Sequence, residues 1–250
     1  MEPLVVSIFF ILGIILGSFF NVVGLRLPQN IPFHSDRSYC PQCQQQLSWY
    51  ELFPIISYIV QRGQCRHCQT HISLIYPFVE VMTGFLFMFC YITFGFEIEL
   101  ITALFLVSML MILFVSDIAY MLIPNKILLF FLPFLMIMRI ISPLTPWYDS
   151  ILGALSGFLL IAVIIIVSNG GMGAGDMKLF GVLGIVLGWK NTLIAFFIAI
   201  FLGSLIGSYL MLVNKVKRKE PIPFGPYIVF GALVSYFYGE YMITLYMSLF

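Results

Sequence analysis

The hydropathy pattern of the chain is a series of long apolar segments separated by short polar ones. A helix that crosses a bilayer needs about 20 mostly apolar residues. The pattern therefore predicts about eight transmembrane helices, with 178–189 as the shortest segment. The eight segments cover approximately residues 4–24, 78–95, 99–116, 123–141, 151–168, 178–189, 191–213 and 226–248.

One stretch interrupts this pattern directly after the first apolar segment. Residues 26–75 hold four Arg, many Gln and Ser, and four of the five Cys. Such a composition predicts a small polar domain between the first and second spans. The predicted fold class is therefore an all-α polytopic membrane protein with a zinc-ribbon-like four-cysteine insertion.

Composition supports this prediction and excludes several other classes of protein. The chain is 61% hydrophobic and 9% charged, whereas soluble domains carry about 25% charged residues. An aromatic content of 17% also excludes a disordered chain. The net charge of +1 gives no overall field that attracts nucleic acid, so we expect no direct nucleic-acid binding.

The distribution of basic residues predicts the orientation. With eight spans, Arg139 and Lys190 fall on one side of the membrane, and the other ten of the twelve Lys and Arg fall on the opposite side. The positive-inside rule makes the richer side cytoplasmic. The N-terminus is then outside, and residues 26–75 are cytoplasmic. A single helix over 178–213 would place the basic cluster at 215–219 on the outer side of the membrane, so two helices are predicted there.

Four cysteines form two C-x-x-C pairs, and this spacing is typical of a structural zinc site. Two such pairs can close a tetrahedral thiolate cage around Zn²⁺, which leaves no open position for catalysis. Two disulfides or spare thiols are the alternatives, and a reducing cytosol disfavours disulfides. The predicted ligands are Cys40, Cys43, Cys65 and Cys68.

Two aspartates at span ends are the candidate catalytic residues. Asp117 ends the third span and Asp176 begins the sixth, so the predicted topology places both on the cytoplasmic face. Two carboxyls that share a site can hold one proton between them, which suits aspartic-protease chemistry. Asp at span ends is also common, so two ordinary interfacial acids are the alternative.

A glycine-rich segment precedes the second of these aspartates. Glycines beside a catalytic acid let a substrate backbone approach closely. Gly173, Gly175 and Lys178, which flank Asp176, are therefore the candidate substrate-binding residues.

Taken together, the motifs and their order resemble the type IV prepilin peptidase family over essentially the whole chain. The compact length is most similar to the ComC-like competence prepilin peptidases of Gram-positive bacteria. The motifs that carry the resemblance are Gly17-Ser18-Phe19-Phe20-Asn21-Val22, Arg26-Leu27-Pro28, the two C-x-x-C pairs, Tyr76-Pro77-Phe78-Val79-Glu80, Asp117 before Ile123-Pro124, and Gly173-Ala174-Gly175-Asp176-Met177-Lys178-Leu179.

The resemblance implies a bifunctional enzyme of the bacterial plasma membrane. Asp117 and Asp176 would be the catalytic acids that cleave a type IV prepilin or competence pseudopilin after Gly on the cytoplasmic side. S-adenosylmethionine would then methylate the new N-terminal residue. The implied domains are a first transmembrane helix at 1–25, a methyltransferase-associated zinc domain at 26–76, and a peptidase domain at 77–250.

Two departures from the family pattern bear on these expectations. Many members have Ile-Pro-Asp where this chain has Asn125 after Pro124, and many have Arg where it has Ile75. The first position is not a catalytic acid, so cleavage is expected to survive. The second lies in the methyltransferase half, where Glu80 is the candidate cofactor-binding residue and an interfacial acid is the alternative.

Two other classes of protein compete with this interpretation. Presenilin-like proteases share the Gly-x-Gly-Asp motif, but they carry a Pro-Ala-Leu motif that is absent from this sequence, and this chain has a C-x-x-C domain. A non-enzymatic scaffold or transporter with a zinc docking domain would not need its two aspartates. The sequence does not indicate an oligomeric state.

Overall fold

The computed structural model is mostly helical, with a largely non-helical polar segment between the first two long helices. It describes residues 2–31, 38–168, 171–215, 217 and 222–248. Three of the predicted cytoplasmic cations, Arg37, Arg218 and Lys219, lie outside these residues. The elements are α1 (Glu2–Arg26), a 3₁₀ turn (Trp49–Leu52), α2 (Ile56–Val60), α3 (Ile75–Phe94), α4 (Ile98–Tyr120), α5 (Asn125–Ile141), α6 (Asp149–Val167), α7 (Ala174–Leu212) and α8 (Gly225–Met247).

Six of the described helices are long and apolar enough to cross a membrane: α1, α3, α4, α6, α7 and α8. The apolar helix α5 has 17 residues and contains Pro133, which removes one helical hydrogen bond. Each predicted apolar segment falls mainly within one of these seven helices. The predicted all-α class and the position of the cysteines after the first helix are confirmed.

The long helix α7 contains two of the predicted segments, and it folds back on itself between them. Gly188 has φ 75° and ψ 171°, which is not helical. The rings of Phe180 and Phe196 lie 5.9 Å apart, although a straight helix would separate these residues by about 24 Å. The arms 174–187 and 189–212 are therefore antiparallel, which confirms the predicted division near residue 190.

The chain divides into two compact units, Met1–Val115 and Ser116–Phe250. In the first, α1 packs along α3. A Cβ on Gly17 would lie 2.9 Å from the Glu80 Cα, so glycine permits the two helices to approach this closely. The side-chain amide of Asn21 donates to the Tyr76 carbonyl at 3.1 Å and links the same pair of helices.

In the second unit, α7 is the central element. Its first arm packs against α6, where the backbones at Gly153 and Gly184 are in direct contact. Its second arm packs against α8, where the Ser235 hydroxyl donates to the Asn191 carbonyl at 2.5 Å. The turn at Gly188 thus places the start of α7 beside the end of α4 and the start of α8, where the polar residues described next are found.

Candidate active site and metal centre

Asp117 lies in the last turn of α4, and the chain around it is held by local hydrogen bonds. Met121 ends the helix with φ 53°, and its N–H donates to the Asp117 carbonyl at 2.8 Å. The Ser116 hydroxyl donates to the Leu122 carbonyl at 2.6 Å. These bonds fix the turn after α4 and the direction of the Asp117 side chain.

Asp176 lies in the first turn of α7, where the preceding glycines shape the approach. The Gly173 N–H donates to the Asp176 Oδ2 at 3.2 Å. A Cβ on Gly175 would lie 2.9 Å from the Ile123 Cβ, so glycine allows α7 to begin against the chain that follows α4. Both glycines thus have contacts within the protein, and their predicted contact with a substrate stays a prediction.

The structure brings the two predicted acids into one site. Asp117 is 5% exposed and Asp176 is 8% exposed, and the charge of the Asp117 carboxylate acts on the Asp176 carboxyl. Two buried carboxyls whose charges act on each other cannot both ionise easily, because each disfavours the charge on the other. The pair is therefore suited to hold a single proton.

A third residue, Gly225, completes the site, and the sequence analysis did not single it out. Its N–H donates to the Asp117 Oδ2 at 2.6 Å, and this bond is buried. The sequence signal is a glycine between Phe224 and Pro226 at the start of an apolar helix. That pattern predicts a helix start but not its partner, which is 108 positions away.

Both carboxyls lie at the N-terminal end of a helix. Asp176 is in the first turn of α7, and Asp117 accepts from the first residue of α8. Helix N-termini carry partial positive charge and unpaired N–H groups, which stabilise an anion. The backbone thus supplies a favourable field for a negative charge on the pair.

Lys178 lies away from the two acids. Residues two apart on a helix point about 200° apart, so Lys178 does not share the face of Asp176. Its Nζ donates to the Asn125 Oδ1 at 3.0 Å in an exposed position. Asn125, the residue at which this chain departs from Ile-Pro-Asp, therefore links the start of α5 to α7. A substrate contact of Lys178 stays a prediction.

Glu80, the candidate cofactor-binding residue, is held by groups of the protein itself. It is 7% exposed, its Oε2 accepts the Ile55 N–H at 2.7 Å, and the Ser18 side chain bonds to it. Ile55 has φ 60° and ψ −51°, a strained conformation for a β-branched residue. The sequence indicated an acid at this position, but not that it anchors the polar segment to α3.

The four predicted cysteine ligands come together on two turns of the same form. In each turn the residue four positions after the first cysteine, Gln44 or Gln69, has φ 57°. The N–H of that glutamine donates at 2.9 Å to the carbonyl of Cys40 or Cys65. Each turn therefore aims two sulfurs at one point, as the C-x-x-C spacing predicts.

The geometry of the sulfurs fits a zinc ion. The four Sγ atoms of Cys40, Cys43, Cys65 and Cys68 lie within 4.8 Å of one another, and Cys40 and Cys68 are 3.7 Å apart. A tetrahedral ion with Zn–S bonds of about 2.3 Å requires sulfurs about 3.8 Å apart. All four cysteines are free thiols, so the disulfide alternative finds no support in the structure.

The electrostatics of the cluster also favour thiolate formation at some of these positions. Hydrogen bonds from the Thr70 hydroxyl and N–H lower the pKa of Cys68 to about 6. The backbone N–H groups of Cys43 and Gln42 lower the pKa of Cys40. At Cys43 the Gln45 N–H acts in the same direction, but burial and the neighbouring sulfurs outweigh it and raise the pKa to about 11.

Comparison with known proteins assigns the family. A model of the bacterial peptidase A24 N-terminal domain matches residues 11–94, and a model of the type IV leader peptidase family matches residues 104–208. A prepilin leader peptidase/N-methyltransferase of Bacillus subtilis (strain 168) is 45% identical over 97% of this chain and 98% of its own length. The chain belongs to the type IV leader peptidase family. A protein of the same name from Aeromonas salmonicida (strain A449) is 30% identical over 97% of this chain and 94% of its own.

Membership of the leader peptidase family agrees with the helices of the structure, and the chain is a multi-pass membrane protein. The cysteines and Glu80 fall within the range matched by the N-terminal domain model. Asp117 and Asp176 fall within the range matched by the leader peptidase model, and Gly225 lies beyond it. No solved structure matches this chain.

Proposed function

We propose that this member of the type IV leader peptidase family is a membrane-embedded aspartic endopeptidase with an attached N-methyltransferase activity. Its substrates are the precursors of type IV pilins or competence pseudopilins, which it cleaves after Gly. The observation that carries this proposal is the shared, buried site of Asp117 and Asp176 at two helix N-termini. The names of the relatives, prepilin leader peptidase/N-methyltransferase, supply the substrate class and the second activity.

The proposed cleavage needs only the two carboxyls and a water molecule. The ionised carboxyl removes a proton from the water, and the water oxygen attacks the carbonyl carbon of the scissile peptide bond. The protonated carboxyl donates its proton to the carbonyl oxygen, which gives a neutral tetrahedral diol. When the diol collapses, one of its hydroxyl groups returns a proton to the carboxylate that had protonated the carbonyl oxygen. The departing nitrogen takes a proton from the carboxyl that received the water proton, so the pair again holds one proton.

The positions of the candidate residues suit a substrate that is itself a membrane helix. Both acids lie at helix ends, where a membrane-anchored precursor would present the bond between its leader and its apolar segment. The positive-inside rule places these ends on the cytoplasmic side and the N-terminus outside. The lipid bilayer is thus part of the binding environment of the substrate.

S-adenosylmethionine is the methyl donor that the name N-methyltransferase implies. When bound, it would supply a methyl group to the new N-terminal amine of the cut protein. Glu80 is the candidate to hold it, and Asn21 on the facing helix has a buried Oδ1 that accepts no hydrogen bond from the described residues. Such oxygen acceptors fit the ammonium group of this molecule.

Zinc is proposed as the structural ion of the polar segment. The ligand set is Cys40, Cys43, Cys65 and Cys68, which are four thiolates with no position left for a substrate. In a segment with few buried apolar side chains, the ion would contribute directly to folding. Because its four positions are filled by protein, it takes no part in peptide-bond cleavage.

Isosteric substitution of each acid tests the peptidase proposal. Asp117→Asn and Asp176→Asn each remove the ability to carry a charge or exchange a proton, and each should abolish cleavage of a prepilin precursor in detergent. Glu97→Gln is the matched control, because Glu97 is exposed and lies just before α4, at the opposite end of that helix from Asp117. Cleavage is read from the mass of the product. Full cleavage by both variants of the candidate acids would contradict the proposal and favour a non-enzymatic membrane scaffold or transporter.

A further inference from the structure

The backbone of Gly225 makes a short hydrogen bond to the candidate acid Asp117, which lies 108 positions earlier in the chain. The Gly225 N–H donates to the Asp117 Oδ2 at 2.6 Å, in a buried position. Among the described residues, no other hydrogen bond reaches this carboxyl group. One oxygen of the carboxyl is therefore fixed by the backbone of α8, and the other is not engaged in this way.

Space around this bond allows only glycine at position 225. A Cβ there would lie 2.6 Å from the Asp117 Oδ2 and 2.7 Å from both its Cβ and its Cγ. Real Cβ atoms do not approach other heavy atoms so closely. Any side chain would therefore displace the carboxyl group of Asp117 or the start of α8.

The N–H of Gly225 is available because of its place in the helix. Gly225 is the first residue of α8, and the first N–H groups of a helix have no partner within the helix. The next residue, Pro226, has no N–H to offer. The N–H groups of Tyr227 and Ile228 donate to the Phe224 carbonyl at 3.1 and 3.2 Å. The Gly225 N–H therefore has no partner within α8, and it donates to Asp117 instead.

We propose that Gly225 is a positioning residue for the peptidase reaction, because its backbone N–H fixes Oδ2 of Asp117 and leaves Oδ1 to exchange the reacting proton. This inference rests on the proposed peptidase function. It assigns to Gly225 a role in the orientation of the carboxyl group rather than in substrate binding. Loss of the contact should therefore lower kcat and leave KM for the precursor unchanged.

The first test is the Gly225→Ala variant, with kinetics expressed per mole of folded protein. A misplacement of about 1 Å of a reacting group lowers kcat on the order of 100-fold, and KM should stay within about twofold of the parent. Gly231→Ala is the matched control, because it adds a Cβ on the same helix against the Ala195 carbonyl. We expect the control to lower stability while kcat per folded molecule stays within about threefold of the parent value.

A backbone substitution distinguishes the effect of the lost hydrogen bond from the effect of steric crowding by an added Cβ. Glycolic acid at position 225, introduced during cell-free synthesis into nanodiscs, replaces the N–H by an ester oxygen and adds no Cβ. Loss of a hydrogen bond to a charged group should lower kcat at least about tenfold, while the same change at position 231 should not. A kcat of the ester variant at position 225 within about threefold of the parent would overturn the inference, whatever Gly225→Ala does, and so would equal losses for the ester variants at positions 225 and 231. If the parent itself does not cleave the precursor, the proposed function fails instead.

Discussion

At the scale of single residues, Glu80 shows how a buried acid can be interpreted in two ways. The sequence predicts a cofactor-binding role, whereas the structure places its Oε2 2.7 Å from the Ile55 N–H. A buried carboxylate that accepts a backbone N–H and bonds a side chain of α1 can be purely structural. The two roles differ in what happens to stability when the carboxyl group is removed.

We expect Glu80→Ala to destabilise the first unit, since it leaves the part-buried Ile55 N–H without its acceptor. Loss of such a hydrogen bond costs about 1 kcal/mol of the free energy of unfolding. Glu80→Gln should retain most of the stability, because the amide oxygen accepts the same N–H. The free energy of unfolding in detergent and the binding of S-adenosylmethionine by calorimetry are the two measurements. Full stability of Glu80→Ala together with lost binding would contradict the anchoring role and leave the cofactor role alone.

The residue scale also shows which functional groups a sequence can reveal. Asp117 and Asp176 were predicted because charged residues at the ends of apolar segments are costly and therefore conspicuous. Gly225 was not predicted, since its function depends on a hydrogen bond to a residue 108 positions away. A glycine before a proline at a helix start is too common to indicate such a partner.

At the scale of elements, the two cysteine turns behave as one metal-binding unit. Their equal backbone conformations follow from equal spacing, because each places a left-handed glutamine four positions after its first cysteine. This part of the site could be predicted from the sequence alone. The sequence could not predict that the pKa values of the four thiols differ. The low pKa of Cys68 arises first from the Thr70 hydroxyl beside it.

We expect bound zinc to be lost as the pH falls below about 6. Protons compete with the metal for thiolates. Cys43, whose pKa is raised to about 11, already exchanges its proton for the metal at neutral pH, whereas Cys68, with a pKa of about 6, is ionised there. Zinc affinity therefore declines as the pH falls, and it declines more steeply once Cys68 also binds a proton. Cys68→Ser should lower zinc content at neutral pH, whereas Cys90→Ser, in the apolar helix α3, should not. Zinc per protein, measured by mass spectrometry of the metal after dialysis at each pH, provides the readout. Unchanged zinc content in Cys68→Ser, or at pH 5, would contradict the four-thiolate cage.

The helix α7 shows what charge can add to hydropathy at this scale. Hydropathy alone favours one long apolar helix over 178–213, but the basic residues on either side predict a division near Lys190. The structure turns at Gly188, with φ 75°. The predicted division lies within two residues of this turn, because the distribution of basic residues requires the chain to cross the membrane twice between 178 and 213. The exact turn residue depends on close packing with the start of α6, which the sequence does not show.

At the scale of the whole molecule, the helices and the order of motifs were the predictable part. Eight apolar segments and a polar insertion dictate an all-helical membrane protein, since backbone groups in lipid must be paired within a helix. The contacts between elements were the part that could not be predicted. Asp117, Asp176 and Gly225 come from three helices, and the turn in α7, the close approach at Gly175 and the Gly225–Asp117 hydrogen bond bring them to one place.

The N-terminal mass of a processed precursor is the most direct test of the proposed peptidase and methyltransferase activities. The purified protein in detergent is mixed with a prepilin-like precursor and S-adenosylmethionine, and the product is read by mass spectrometry. We predict a cut after Gly at the end of the leader and one added methyl group on the new N-terminal residue. A precursor that stays intact, while an active relative from the same family cleaves it under the same conditions, would contradict the account.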